Sequence, residues 1–135
     1  MSKEIKFRGL RKDGKGWVYG FLVRTINPHK EEKEYWSTAI YEGINVKPAV
    51  EVIPETIGQL TGLKDKTGKD VYEGDILQRK EAKKSNVISK CKIINKDDRF
   101  CLEWITKSWF NDILRNHISE LEIIGNIHEN PELLE

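Results

Sequence analysis

The sequence is poor in the residues that carry most recognisable chemistry. Its two cysteines, Cys91 and Cys101, belong to no CxxC pair and have no third or fourth ligand at metal spacing. That excludes a zinc motif and a disulfide framework, and leaves the expectation of two reduced, packed thiols. Histidine is scarce too: His29 sits in a connecting segment, His117 follows an expected helix end and His128 precedes the tail, so each reads as structural or solvated. No G-x-S-x-G or H-E-x-x-H is present, and no cysteine stands beside a histidine in a catalytic arrangement. No apolar run approaches the roughly 18 residues of a membrane helix. The segment from Met1 to Lys6 has no apolar core of a signal peptide, so the expectation is a cytoplasmic protein with no membrane partner. Neither sign of charge prevails, with 23 Lys and Arg against 22 Asp and Glu and a net of +1. Any attraction to nucleic acid must therefore be local.

What the chain does have is turn chemistry, densest between Val52 and Leu77. Pro54 carries a preset φ and no N–H, both suited to a first helical turn, so Pro54-Glu55-Thr56 is expected to start a short helical turn that Gly58 stops. Leu60 and Leu63 on one side of Asp65-Lys66-Thr67-Gly68, and Val71, Ile76 and Leu77 on the other, predict a β-hairpin. Its turn is of type I, closed by a glycine bulge. Glu73-Gly74-Asp75 is expected to interrupt the second strand as a bulge or a close backbone approach. The residues given structural roles are Pro54, Gly58, Gly62, Gly68, Gly74, Asp75, Gly125 and Pro131.

The remaining segments read as strands around these turns. An opening hairpin spans 4–11 and 16–25 about Asp13-Gly14-Lys15-Gly16, and places Trp17, Tyr19 and Phe21 on one strand face. Such a stripe packs a core or an interface, or it stacks bases if basic neighbours share the face. Lys6, Arg8, Arg11, Lys12 and Lys15 lie nearby. Residues 27–34 form an exposed connection, 35–41 a strand, and Val50, Val52 and Ile53 lead back to the central run. Arg79, Lys80, Lys83 and Lys84 against Glu81 make the most basic segment, read either as a solvated hairpin tip or as a phosphate-contacting loop. Val87 to Ile94 and Phe100 to Trp104 pair about Asn95-Lys96-Asp97-Asp98. Ser108 is a plausible N-cap, and Trp109 with Ile113 and Phe110 with Leu114 recur at i, i+4, predicting a short helix that ends near Asn116. Leu121 to Ile124 form the last strand.

At 135 residues the expectation is a single domain over 1–135, with 79–119 as a candidate smaller lobe. The class is α+β, predominantly antiparallel β: a bent sheet or a small, partly open (SH3-like) barrel with one short helix near the C-terminus.

The motifs that carry chemistry mostly fail on inspection. Gly62 to Lys69 approximates a phosphate-binding loop, but its glycines are spaced too widely, Asp70 replaces the hydroxyl, and a strand follows in place of a helix. Glu73 and Asp75 could hold a metal or work as acid and base, yet they have neither a histidine nor a third carboxylate at ligand spacing. A backbone-capping Asp75 is the simpler reading. No catalytic residue, cofactor-binding residue or metal ligand is assigned, and no cofactor is expected.

Three blocks are specific when taken together: Ile5 to Arg8 with Trp17 to Gly20; Pro54 to Gln59 through Thr61 to Asp65 to Tyr72-Glu73-Gly74-Asp75-Ile76; and Ile123 to Ile127 with Glu129 to Leu134. In order and spacing they resemble the YopX family of phage and prophage proteins, with Gly9-Leu10 where the family usually shows Ala-Trp. The resemblance implies a small phage-encoded protein of the host bacterial cell that forms homo-oligomers, with no catalytic residues to carry over. The leading expectation is a non-enzymatic, self-associating module that binds an unidentified host or phage macromolecule. The alternative is nucleic-acid binding through Arg79, Lys80, Lys83 and Lys84 with Trp17 and Tyr19. A metal-dependent hydrolase using Glu73 and Asp75 ranks last.

Overall fold

The computed structural model describes residues 5–26, 36–42, 49–80, 88–105, 112–113 and 120–134. Among these residues hydrogen bonding builds two antiparallel sheets from eleven strands. The strands are β1 (Phe7–Leu10), β2 (Trp17–Ile26), β3 (Trp36–Tyr41), β4 (Val50–Glu51), β5 (Gly58–Lys64) and β6 (Asp70–Tyr72), then β7 (Asp75–Lys80), β8 (Ile88–Lys96), β9 (Arg99–Trp104), β10 (Asp112–Ile113) and β11 (Glu122–Asn126). The orders are β4-β3-β2-β1-β5-β6 and β10-β9-β8-β7-β11. In both sheets the end strands do not pair with each other, so the sheets are open. They do not close into a full barrel, although the Lys12 N–H donates to the Glu51 carbonyl at 3.1 Å and the Ile53 N–H to the Leu10 carbonyl at 2.9 Å, which curls the end of β4 back to the end of β1.

The chain divides into two compact units, 1–60 and 61–135. In the first, β1 pairs with β2 about the predicted Gly-rich turn, with Phe7 opposite Gly20 and Arg8 opposite Tyr19. Alternation then sorts the side chains by face. Val18, Ile40 and Val52 point into a core with Phe7, Val50 and Ile57, while Trp17, Tyr19 and Phe21 point the other way. The expected turn at Pro54–Thr56 forms as one turn of 3₁₀ helix. Thr56 fastens it to the sheet: its hydroxyl donates to the Ile53 carbonyl at 2.6 Å and accepts from the Leu10 N–H at 2.9 Å.

The second unit begins on the far half of β5, where the Thr61 hydroxyl donates to the Val71 carbonyl of β6 at 2.8 Å. The hairpin turn between them follows the prediction: Gly68 has φ +91° and donates to the Asp65 carbonyl at 3.0 Å. Glu73-Gly74-Asp75 is a correction. It does not interrupt one strand but turns the chain from β6 in one sheet to β7 in the other, and Gly74 has φ +93°. The sequence signal was the same, because a bulge and a tight turn both ask for a glycine in the left-handed region. Gly74 is pinned on both sides, donating to the Ile93 carbonyl and accepting from the Ile127 N–H, each at 2.9 Å.

The core of this unit joins Val71, Leu77, Cys91, Ile93, Leu102 and Leu121. β8 and β9 meet about Asp97 and Asp98, whose φ values of +53° and +61° make a two-residue turn with both central residues left-handed.

The helix expected between Ser108 and Asn116 is a second correction. Asp112 and Ile113 pair as strand with Leu102 and Cys101 of β9, and the rest of that stretch lies outside the described residues. Among the described residues the helical content is two 3₁₀ turns, Pro54–Thr56 and Pro131–Leu134, and the single 3₁₀ residue Glu120. No helix among them is long and apolar enough to cross a membrane.

Candidate functional site

The outward face of β1 and β2 combines two kinds of side chain that sequence alone could not place together. On β2, Tyr19 and Phe21 are 42% and 56% exposed, and Trp17 lies half-buried beside them. Residues directly opposite in an antiparallel pair share a face, so the register that sets Arg8 against Tyr19 brings Arg8 onto the aromatic side. One alternation further along the strand, Lys6 joins it. Both cations lean diagonally. The Arg8 guanidinium lies 4.5 Å from the centre of the Trp17 ring, and the Lys6 ammonium 6.0 Å from that of Tyr19.

The two contacts differ in kind. Arg8 is 7% exposed, so its charge is held against the indole out of bulk water, where a cation–ring attraction reaches about 2 kcal/mol. Lys6 stands at the outer limit of the interaction and keeps an accessible ammonium, worth about 0.5–1 kcal/mol. Among the described residues of β1, β2 and β3 on this face, the charged side chain is Arg8, with Lys6 at the residue just before β1. Glu51 of β4, opposite Ala39, is engaged by the Lys12 ammonium at 3.1 Å. Arg11 is turned to Asp13 at 2.8 Å, which raises the guanidinium pKa and pulls the Asp13 carboxyl down to about 2.

The other predicted contact residues have a different setting. Arg79 lies on β7 in the second unit, and its guanidinium meets Glu120 at 3.2 Å. Lys80 ends the same strand, and Lys83 and Lys84 fall outside the described residues.

The carboxylate pair is committed separately. The Asp75 carboxylate is buried and accepts the Tyr72 N–H at 2.7 Å, as an Asx cap does. Glu73 sits in the turn, where partial burial raises its pKa. Among the described residues no group of three His, Cys, Asp or Glu side chains converges as a metal site.

Sequence reasoning undervalued Asp65. It is 5% exposed: Oδ1 accepts from the Thr67 N–H, the Thr67 hydroxyl and the Lys69 N–H, and Oδ2 from the Ile123 N–H at 3.0 Å. The last bond, with Lys66 N–H to the Leu121 carbonyl at 2.9 Å, folds the hairpin tip over the outer edge of β11. An exposed edge strand invites pairing with another chain, and this one is covered. A turn-forming Asp was readable in the sequence; its partner 58 residues away was not.

Comparison with known proteins agrees with this architecture. Protein EF1440 from Enterococcus faecalis is 28% identical, covers 99% of this chain and 100% of its own, and superposes with a TM-score of 0.62. Protein yopX from Bacillus subtilis is 18% identical over 99% of this chain and 98% of its own, with a TM-score of 0.57, and shares the fold. No curated protein matches. The family model for YopX protein matches residues 6–135, nearly the whole length and, apart from Ile5, all three blocks quoted above, so the chain belongs to the YopX family.

Proposed function

We propose that this chain is a phage-encoded accessory protein that acts in the host bacterial cytoplasm by binding a macromolecule, without catalysing a reaction, and that its contact surface is the outward face of β1 and β2. The observation that carries the reading is the pair of exposed rings, Tyr19 and Phe21, on a strand whose other face sends Val18 into a core. Aromatic side chains are the costliest to leave in water and the commonest anchors of interfaces. The carboxylates that might have served catalysis are absorbed elsewhere, Asp75 by a backbone cap and Asp65 by the hairpin lock.

The test compares immobilised wild-type chain with the double variant Tyr19→Ser/Phe21→Ser, with host-cell lysate passed over both. Both rings are exposed, so the variant should melt with the wild type. Wild type should retain a specific macromolecule that the variant releases. Equal retention by two equally folded proteins would remove the face from consideration. Light scattering across a concentration series tests the self-associating part: a mass fixed at 15.7 kDa would eliminate it.

A further inference from the structure

Resting on that reading, we infer that the partner is a polypeptide, one extended segment of which joins the sheet as a further strand along the open edge of β2 at residues 22–26. β2 runs from Trp17 to Ile26, but its pairing with β1 stops where Phe7 meets Gly20. β3 accompanies the other half, from Phe21 to Ile26. Beyond the start of β1, the far half of β2 therefore has a strand on one side and, among the described residues, none on the other.

The phase of the hydrogen bonds fixes which groups lie on the open side. The Arg11 N–H donates to the Gly16 carbonyl across the first hairpin, and antiparallel pairs alternate between bonded and unbonded. Gly16, Val18 and Gly20 thus turn their backbone groups toward β1, and Leu22, Arg24 and Ile26 continue that row. The count from the other side agrees. The Val52 N–H donates to the Thr38 carbonyl, so Thr38 faces β4 and Ala39 faces β2, bonding to Val23 opposite it. Val23 and Thr25 are spoken for by β3; Leu22, Arg24 and Ile26 present N–H and C=O to the open side.

Such a row is recognised by an extended polypeptide. Donor and acceptor recur every second residue, roughly 7 Å apart, and a strand of another chain matches them group for group. Nucleotides and lipid headgroups have no such repeat. Apolar side chains flank the row on both faces, because Phe21 and Leu22 are consecutive and point oppositely. They are 56% and 39% exposed, and Ile5, just ahead of β1, is 63% exposed. Phe21 belongs to the outward face of β1 and β2 as well as to this edge. Lys6 precedes β1 and Glu42 follows β3 beside Gly20, so both signs of charge border the opening and selection falls to the backbone.

Other edges are occupied. The tip of the Asp65 hairpin bonds to β11, and the end of β4 bonds to the end of β1. The open stretch of β2 covers five positions, 22–26, whereas a stable dimer needs roughly 20–30 residues a side. That extent suits a short linear segment of a partner in preference to a second copy.

The experiment selects displayed random heptapeptides on the full chain and resynthesises the tightest binder with N-methyl groups on one or the other alternating set of amides. A strand on an edge uses every second amide, so one set should be tolerated and the other should weaken binding by about 2- to 10-fold for each hydrogen bond lost. In amide exchange followed by NMR, the Leu22, Arg24 and Ile26 N–H groups should exchange faster than those of Val23 and Thr25 in the free chain, and slow when peptide is added. Arg24→Pro deletes an outward N–H and leaves the β3 ladder intact, as an edge allows; Leu22→Lys places a charge at the opening. Each should weaken peptide binding with melting unchanged. Protection of Leu22, Arg24 and Ile26 in the free chain would overturn the inference, because the edge would already be taken, and protection that grows with chain concentration would give the edge to a second copy. Equal binding by both methylated peptides, or displacement of the peptide by oligo(dT), would overturn it as well. If the Tyr19→Ser/Phe21→Ser variant loses lysate material but no peptide is selected, the inference fails and the proposed function stands. If the variant retains that material and no peptide is selected, both fail.

Discussion

At the scale of single residues, Asp65 is the side chain whose loss should matter most outside the core. Its carboxylate accepts four hydrogen bonds, three within its own turn and one from β11. Burial alone would raise its pKa, but the donors from Ile123, Thr67 and Lys69 together outweigh that, and the net shift is downward. The consequence for stability follows from linkage. A carboxyl with a folded pKa below its unfolded value contributes stability that is fully present above about 3.8 and disappears as pH falls through the folded pKa. Asp65→Ala should cost about 2–4 kcal/mol at neutral pH, since it strands backbone donors that a charged acceptor had satisfied. Asp65→Asn should cost less at pH 7 and flatten the acid limb of a stability-against-pH curve. Urea melts of the three proteins between pH 2.5 and 7 would show it; parallel acid limbs would mean that Asp65 is not the group responsible.

Among elements, β8 and β9 decide the chemistry of the two thiols. Their register sets Cys91 against Trp104 and Ile94 against Cys101. Cys91 therefore faces the core with Leu77, Ile93 and Leu102, while Cys101, at the position paired with Ile113 of β10, projects from the opposite face of the same sheet. Two side chains on opposite faces of one sheet cannot reach disulfide geometry without unpairing strands. Burial pushes the Cys91 thiol up to about 12, leaving almost no thiolate at neutral pH. Native protein treated with a thiol-selective reagent should show Cys91 modified only as fast as the sheet opens, and both thiols modified at once in denaturant. An intramolecular disulfide formed under mild oxidant in the native state would contradict the register.

The same strands show what the sequence made legible. Hairpins announced by Asp13 to Gly16, Asp65 to Gly68 and Asn95 to Asp98 formed, the last with its turn narrowed to Asp97-Asp98 because Asn95 and Lys96 pair as strand, since a tight turn is encoded within a few adjacent residues. The helix near Ile113 did not: its apolar spacing fits two periods, and pairing with β9, which propensity cannot see, selected the extended one at Asp112 and Ile113. Glu73 to Asp75 failed more subtly, because a glycine with positive φ is required equally by a bulge within a strand and by a turn between sheets.

Over the whole molecule the charges nearly cancel, at +1, and this constrains how nucleic acid, the alternative partner, could be held. Which faces carry the cations depends on strand register, which is why Lys6 and Arg8 read only as neighbours in sequence and became partners of Tyr19 and Trp17 in the fold. Binding to single strands releases counterions in proportion to the phosphates neutralised, with a slope of about −0.7 per contact in log affinity against log salt. Lys6 is accessible and Arg8 is nearly buried, so the β1–β2 face alone should give a slope between about −0.7 and −1.4. Affinity should then fall only about 3- to 7-fold from 50 to 200 mM salt. If Arg79, Lys80, Lys83 and Lys84 made the contacts instead, four of them would steepen the slope to about −3. Arg79 is already opposed by Glu120, which favours the shallow value. Titrations of oligo(dT) at four salt concentrations separate the two. A steep slope that flattens when Lys83 and Lys84 are changed to Gln would move the phosphate contact to the basic segment.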